Sequence, residues 1–85
     1  MTKRTILGVH ISQRVQSIPD VQALFTEYGC NIKTRVGMHD VQGDYCSPSG
    51  LVVLEMLGES EDIDQFYTKL GAVAGVDVQR MDFAE

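Results

Sequence analysis

The fold follows from two nine-residue segments that share one pattern, VQALFTEYG (residues 21–29) and IDQFYTKLG (residues 63–71). Apolar residues occupy the first, fourth, fifth and eighth positions of both segments, and a glycine closes each one. This spacing is typical of an amphipathic helix that buries one face, and glycine is common just past a helix end. The repeat therefore predicts two similar helices in two similar halves of the chain.

Each predicted helix begins with residues that suit a first turn. Ser17 precedes the first helix, where Pro19 fits the first turn and Asp20 suits the positive end of the helix. Ser60 is the expected cap of the second helix, and an acidic cluster follows it. We interpret this cluster as solvated charge at a helix start rather than as paired catalytic carboxylates.

Four stretches with strand patterns flank the helices: residues 4–11, 32–39, 51–57 and 76–82. Residues 32–39 alternate, with one face formed by Ile32, Thr34, Val36 and Met38 and the other by Lys33, Arg35, Gly37 and His39. The order of elements predicts an α+β fold, a ferredoxin-like β-α-β-β-α-β sandwich. Its antiparallel sheet is expected in the strand order 4-1-3-2, with both helices on one face.

The other face of this sheet has no helix to cover it. Alternate residues of LVVLEML (residues 51–57) would then leave aliphatic side chains in water, at a cost of about 1.5–3 kcal/mol each relative to burial. An exposed apolar patch on a short chain usually marks an interface. We therefore expect a homodimer or a higher homo-oligomer.

The amino-acid composition limits the binding partners and the cellular compartment that we expect for this protein. The net charge is −5 and the few basic residues are scattered, which argues against direct binding of nucleic acid. No apolar run is long enough to span a membrane, and the start of the sequence lacks the core of a signal peptide. Two cysteines without a secretory signal indicate reduced thiols, so we expect a cytoplasmic protein.

The connection at residues 40–50 is predicted to be a hairpin loop at one rim of the sheet. The topology places His10, His39 and Cys46 at that rim and Cys30 at the opposite one. If alternate residues of the first strand face the helices, both histidines lie on the open face. Imidazole and thiolate are good ligands for nickel, zinc or copper, so these three residues are the candidate metal site. Facing subunits could share the ligands more easily than one subunit could supply them.

The same residues allow other interpretations. The segment could be a polar rim without a bound ion, or it could bind an organic ligand, and Gly, Asp, Ser and Pro are also ordinary turn formers. A cysteine nucleophile would need a base and an oxyanion site, and the sequence offers Cys46 no third partner on a rigid element. We therefore expect no enzymatic activity.

Three segments resemble the iron-only hydrogenase system regulators: IKTRVGMHD (residues 32–40), GLVVLEMLG (residues 50–58) and IDQFYTKLGAVAGVDVQRM (residues 63–81). Those small bacterial proteins are similar to ACT domains and to the regulatory domain of the nickel-responsive repressor. The resemblance implies one ACT-like domain over residues 1–85, self-association and a regulatory role. The sequence departs from the repressor's His-x-His-x5-Cys run, because Gly37 replaces one histidine and six residues separate His39 from Cys46. It also lacks the glycine-rich turn that amino-acid-binding ACT domains often carry after the first strand.

The sequence thus predicts a small stand-alone regulatory or sensor module that self-associates and binds a small ligand or a transition metal at the sheet rim. The alternative is a pure protein–protein interaction module that has no small ligand and acts through its open face.

Overall fold

A computed structural model describes residues 3–12, 14–42 and 45–84; within these ranges the side chains of residues 3, 14–17, 38–42 and 45–49 are outside the description. Four strands and two helices follow one another: β1 (Lys3–Ile11), α1 (Arg14–Glu27), β2 (Ile32–Gln42), β3 (Tyr45–Met56), α2 (Ser60–Gly71) and β4 (Val76–Ala84). A single 3-10 turn, Gly29–Asn31, connects α1 to β2. The predicted β-α-β-β-α-β order is confirmed.

All neighbouring strands are antiparallel, and the sheet order is β2-β3-β1-β4. Read from the other edge, this is the predicted order 4-1-3-2. The two central strands, β1 and β3, pair from Thr5 with Met56 to Ile11 with Gly50. The chain therefore has the ferredoxin-like, ACT-like fold.

The core lies between the sheet and the two helices. Its buried apolar side chains are Leu7, Val9, Ile11, Leu54 and Met56 from the strands, Val21, Phe25 and Tyr28 from α1 and the residue after it, and Ile63, Phe66 and Leu70 from α2. Phe66 is fully buried, and its ring centroid lies 6.0 Å from that of Phe25 and 5.0 Å from that of Tyr28. The helices therefore cover one sheet face only, as the sequence predicts.

The starts of both helices differ from the prediction. Helix α1 begins at Arg14, so Pro19 lies inside the helix rather than in its first turn. Since proline has no N–H, this position loses one backbone hydrogen bond that an ordinary helix would make. Helix α2 begins at Ser60, and its N-cap is Glu59, which makes no side-chain cap. A good capping residue in the sequence thus marks the helix start only to within one position.

The predicted loop at residues 40–50 is wrong, because strand pairing continues through most of it. β2 extends to Gln42, β3 starts at Tyr45, and these two residues pair with each other. Pairing is irregular between His39, which lies opposite Gly50, and Val41, which lies opposite Cys46. Pro48 falls within this irregular part of β3, where a residue that cannot donate a ladder hydrogen bond is tolerated.

A second irregularity changes which residues of β2 face the helices. Ile32 pairs with Met56 and Thr34 pairs with Glu55, so Lys33 is an extra residue on β2. One extra residue reverses the facing of every residue beyond it. Arg35 consequently lies against Phe25 on the helix side, whereas Val36 is 51% exposed on the open face. The predicted assignment, with Arg35 on the open face, is therefore wrong.

The turn after β3 contains Gly58, whose backbone conformation can be tested by substitution. Gly58 has a φ of +102°, and a Cβ built there would lie 2.6 Å from Asn31 Nδ2, which donates a hydrogen bond to the Leu57 carbonyl. We expect Gly58→Ala to lower the free energy of unfolding by about 2 kcal/mol, from backbone strain and the displaced amide. Urea unfolding monitored by circular dichroism measures the change.

The control is Gly71→Ala at the last residue of α2. Its added Cβ would meet Val78 at 3.5 Å, an ordinary contact distance, and its φ is not in the left-handed region. Alanine there is expected to be neutral or stabilising by up to about 1 kcal/mol. Equal losses in the two variants would contradict the assigned role of Gly58.

Candidate ligand cleft and open sheet face

His10 lies on the open face of the sheet. Its neighbours across the strands are Leu51 on β3 and Asp77 on β4, and its side chain is exposed. This part of the prediction is confirmed, because Val9 and Ile11 on either side are buried against the helices.

The side chains of His39 and Cys46 are outside the described part of the structure, but their backbone positions are defined. His39 pairs with Gly50, which is in the same row as Ile11, whereas His10 is in the adjacent row with Leu51. These are backbone positions, so the expectation that both histidines share the open face stays a prediction for His39.

Cys46 pairs with Val41, two residues beyond His39 on β2. On β3 the same stretch takes four residues, from Cys46 to Gly50, so this part of the strand is not regularly extended. Among the described residues, no group of three His, Cys, Asp or Glu could hold a metal. Metal binding by His10, His39 and Cys46 stays a prediction.

The other cysteine is at the opposite end of the sheet. Cys30 is exposed in the 3-10 turn before Ile32, which pairs with Met56. Met56 lies six residues beyond Gly50, about 20 Å along an extended strand, and Cys46 lies farther still, beyond Gly50. This separation is too large for a disulfide within one chain.

The open face carries a group of apolar side chains. Ile6 and Val53 are half-buried, and the exposed members are Val36, Leu51, Met81 and Phe83. The strand register makes them neighbours: Val36 pairs with Val53, and Ile6 pairs with Met81. We name these six residues the open-face patch.

One ion pair crosses the open-face patch. Arg4 Nη2 on β1 lies 2.9 Å from Glu55 Oε2 on β3. The hydrogen bond from Arg4 lowers the pKa of Glu55 below its usual value. Both charges are therefore present at neutral pH, and each is satisfied by the other within the same chain.

A second set of charged side chains connects α2 to β4 on the helix side of the sheet. Arg80 lies 2.9 Å from Asp82 and 3.0 Å from Asp64, and its guanidinium lies 5.0 Å from the ring centroid of Tyr67. The hydrogen bond to Asp82 is the main cause that raises the pKa of Arg80. Asp82 also accepts a 2.7 Å hydrogen bond from the buried Thr5 hydroxyl. These partners give Arg80 a structural role.

A cleft of about 180 Å³ opens between α1 and the β2 side of the sheet. Phe25 and Arg35 form one part of its wall, and Gly37 and Gly50 lie on the sheet side. The Arg35 guanidinium is 4.7 Å from the centroid of the Phe25 ring. The sequence-based prediction missed this cleft because it assigned Arg35 and Gly37 to the open face.

Solved structures with the same fold are similar over nearly the whole chain. The uncharacterized protein TM1266 from Thermotoga maritima has a TM-score of 0.83 and 23% identity, covering 98% of this chain and all of that one. The ACT domain from the GTP pyrophosphokinase of Chlorobium tepidum has a TM-score of 0.64 and 16% identity, covering 94% of this chain and all of that domain. At these identities the similarity establishes the fold.

A more distant similarity is to CPII, a nitrogen regulatory PII-like protein from Thiomonas intermedia K12, solved with ADP, AMP and bicarbonate bound. Its TM-score is 0.51 at 13% identity, and the alignment covers 99% of this chain and 96% of that one. No protein-family model and no curated protein matches the chain. Within residues 3–12, 14–42 and 45–84, no helix is long and apolar enough to cross a membrane.

Proposed function

We propose that this chain is a small regulatory module, without catalytic activity of its own, that associates with a second copy through the open face of its sheet and responds to a small ligand. The observation that carries the proposal is the open-face patch. Its six side chains lie on all four strands of the same sheet face, and the half-buried Ile6 on β1 lies between the members on β3 and β4.

Charge supports a second copy as the occupant of this surface. The only ion pair across the patch among the described residues, Arg4 with Glu55, is already complete within one chain. When two copies associate, Arg4 and Glu55 therefore leave no unpaired charge at the centre of the interface. Its own patch supplies equivalent apolar side chains, as a two-fold interface requires.

Relatives in fold support the regulatory part of the proposal. They include the ACT domain of a GTP pyrophosphokinase and a nitrogen regulatory PII-like protein that was solved with nucleotides bound. The resemblance of three segments to iron-only hydrogenase system regulators supports the same class, and it is the basis for proposing a bacterial, cytoplasmic regulator. The interaction module without a small ligand is the alternative.

Sedimentation equilibrium of the untagged protein over a wide range of concentrations tests self-association. The single chain has a mass of 9.4 kDa, and we expect the weight-average mass to rise to at least twice this value with concentration. A mass that stays at one chain at every concentration, including those used for NMR, would contradict the proposal.

A further inference from the structure

The cleft between α1 and β2 exists because two glycines lie on its sheet side. Its α1 side is apolar, with Ile18, Val21 and Phe25. A Cβ built on Gly37 meets no atom of the described residues within 4 Å, so the space that they leave next to this glycine is open. Gly50, also on the sheet side, likewise carries no side chain to fill it. The result is a concave apolar surface with room for a ligand.

The volume of the cleft limits the size of that ligand. At about 180 Å³ it is slightly larger than the cavities of about 150 Å³ that hold benzene in other proteins. It is smaller than the pockets of about 300–1,000 Å³ that bind drug-sized molecules. A single ring, or a branched aliphatic group of similar size, matches this space.

Arg35 gives the cleft its charge. The guanidinium lies 4.7 Å from the Phe25 ring centroid, and no carboxylate forms an ion pair with it in the described part of the chain. Arg4 and Arg80, in contrast, each bind a carboxylate. An arginine whose guanidinium carbon lies over an aromatic ring still has N–H donors that can bind a planar anion.

The charge pattern also indicates which anion fits. Of the described residues that line the cleft, none is acidic, and the other polar side chain is the neutral amide of Gln22. An ammonium group in the ligand would therefore find no counter-charge among these described lining residues. We propose that the cleft binds a small monocarboxylate with an apolar body of benzene size and no amino group, with the carboxylate on Arg35 and the body against Phe25 and Gly37. This assignment specifies the ligand class of the regulatory function proposed above and rests on it.

Titration of the ¹⁵N-labelled protein with benzoate tests the assignment, with benzamide as the neutral analogue and phenylalanine as the analogue with an amino group. We expect saturable shifts of the Gly37 and Gly50 amide signals with benzoate. Benzamide and phenylalanine are expected to bind at least about tenfold more weakly, because each loses or opposes the charge-assisted contact.

Two variants and one control locate the site. Arg35→Gln should weaken benzoate binding at least about tenfold, since it removes the guanidinium. Gly37→Val should abolish binding by filling the cleft, with the fold checked by the amide spectrum. Lys33→Gln removes a positive charge from the same strand at a residue that does not line the cleft, and it should bind benzoate like the unmodified protein.

The assignment is overturned if benzoate causes no saturable shifts, if benzamide or phenylalanine binds as tightly as benzoate, or if Arg35→Gln binds benzoate normally. Sedimentation of the same samples separates this failure from failure of the proposed function. An associating protein that ignores benzoate overturns the cleft assignment alone. A single-chain protein that binds benzoate through Arg35 supports the cleft and overturns self-association.

Discussion

Replacing Phe66 with alanine is expected to lower the free energy of unfolding by about 3–5 kcal/mol. Phe66 is fully buried between the sheet and α1, and it contacts the rings of Phe25 and Tyr28. The substitution loses the transfer free energy of the ring and leaves a cavity that the surrounding side chains fill only in part. A domain of this length is typically stable by about 4–13 kcal/mol, so the substitution should remove between about a quarter and all of this stability.

Phe83→Ala is the matched control for this experiment, because it makes the same chemical change at a side chain that is 51% exposed. Its cost should stay below about 1 kcal/mol. Chemical denaturation of both variants should be measured at concentrations below those at which chains associate, so that a lost interface does not contribute. Similar losses at the two positions would contradict the assignment of Phe66 to the core and Phe83 to the open face.

Replacing Val36 with aspartate is expected to weaken self-association at least about 100-fold while leaving the chain folded. Val36 is 51% exposed and pairs with Val53 in the open-face patch. In the single chain the new carboxylate remains in water, so stability should change little. In the associated form it would be buried without a partner, which costs several kcal/mol.

Leu57→Asp is the control for Val36→Asp, because it adds the same charge outside the open-face patch. Leu57 is apolar and 43% exposed, but it follows the last residue of β3 and is not part of the patch. Sedimentation of this variant should give the association constant of the unmodified protein. Equal weakening by the two substitutions, or normal association of Val36→Asp, would show that copies do not meet through this face.

The repeated helix pattern and the four strand patterns together were sufficient to predict the layers and the strand order. Apolar spacing indicates which side of a helix or strand faces the core. Two short halves of similar pattern can form one sheet in only a few topologies. Helix starts were less accurate, since Pro19 and Ser60 are compatible with more than one position near a helix start.

Which residues of β2 lie on the helix side of the sheet could not be predicted from the spacing of apolar residues. Residues 32–39 alternate without interruption in the sequence, and nothing in that alternation marks Lys33 as an extra residue. The bulge depends on the pairing of β2 with β3, which is a tertiary property. Its consequence is large, because the assignment of Arg35 and Gly37 to the open face hid the cleft beside Arg35.

The most direct test of the account is an NMR dilution series that maps where copies meet. Amide spectra should be recorded from concentrations at which the chain is single to those at which it associates. We predict that the concentration-dependent shifts centre on the open-face residues Ile6, Val36, Val53 and Met81, while Phe66 and other core positions of α2 stay unchanged. Shifts confined to the helices, or none at any concentration, would contradict the claim that the uncovered sheet face joins two copies.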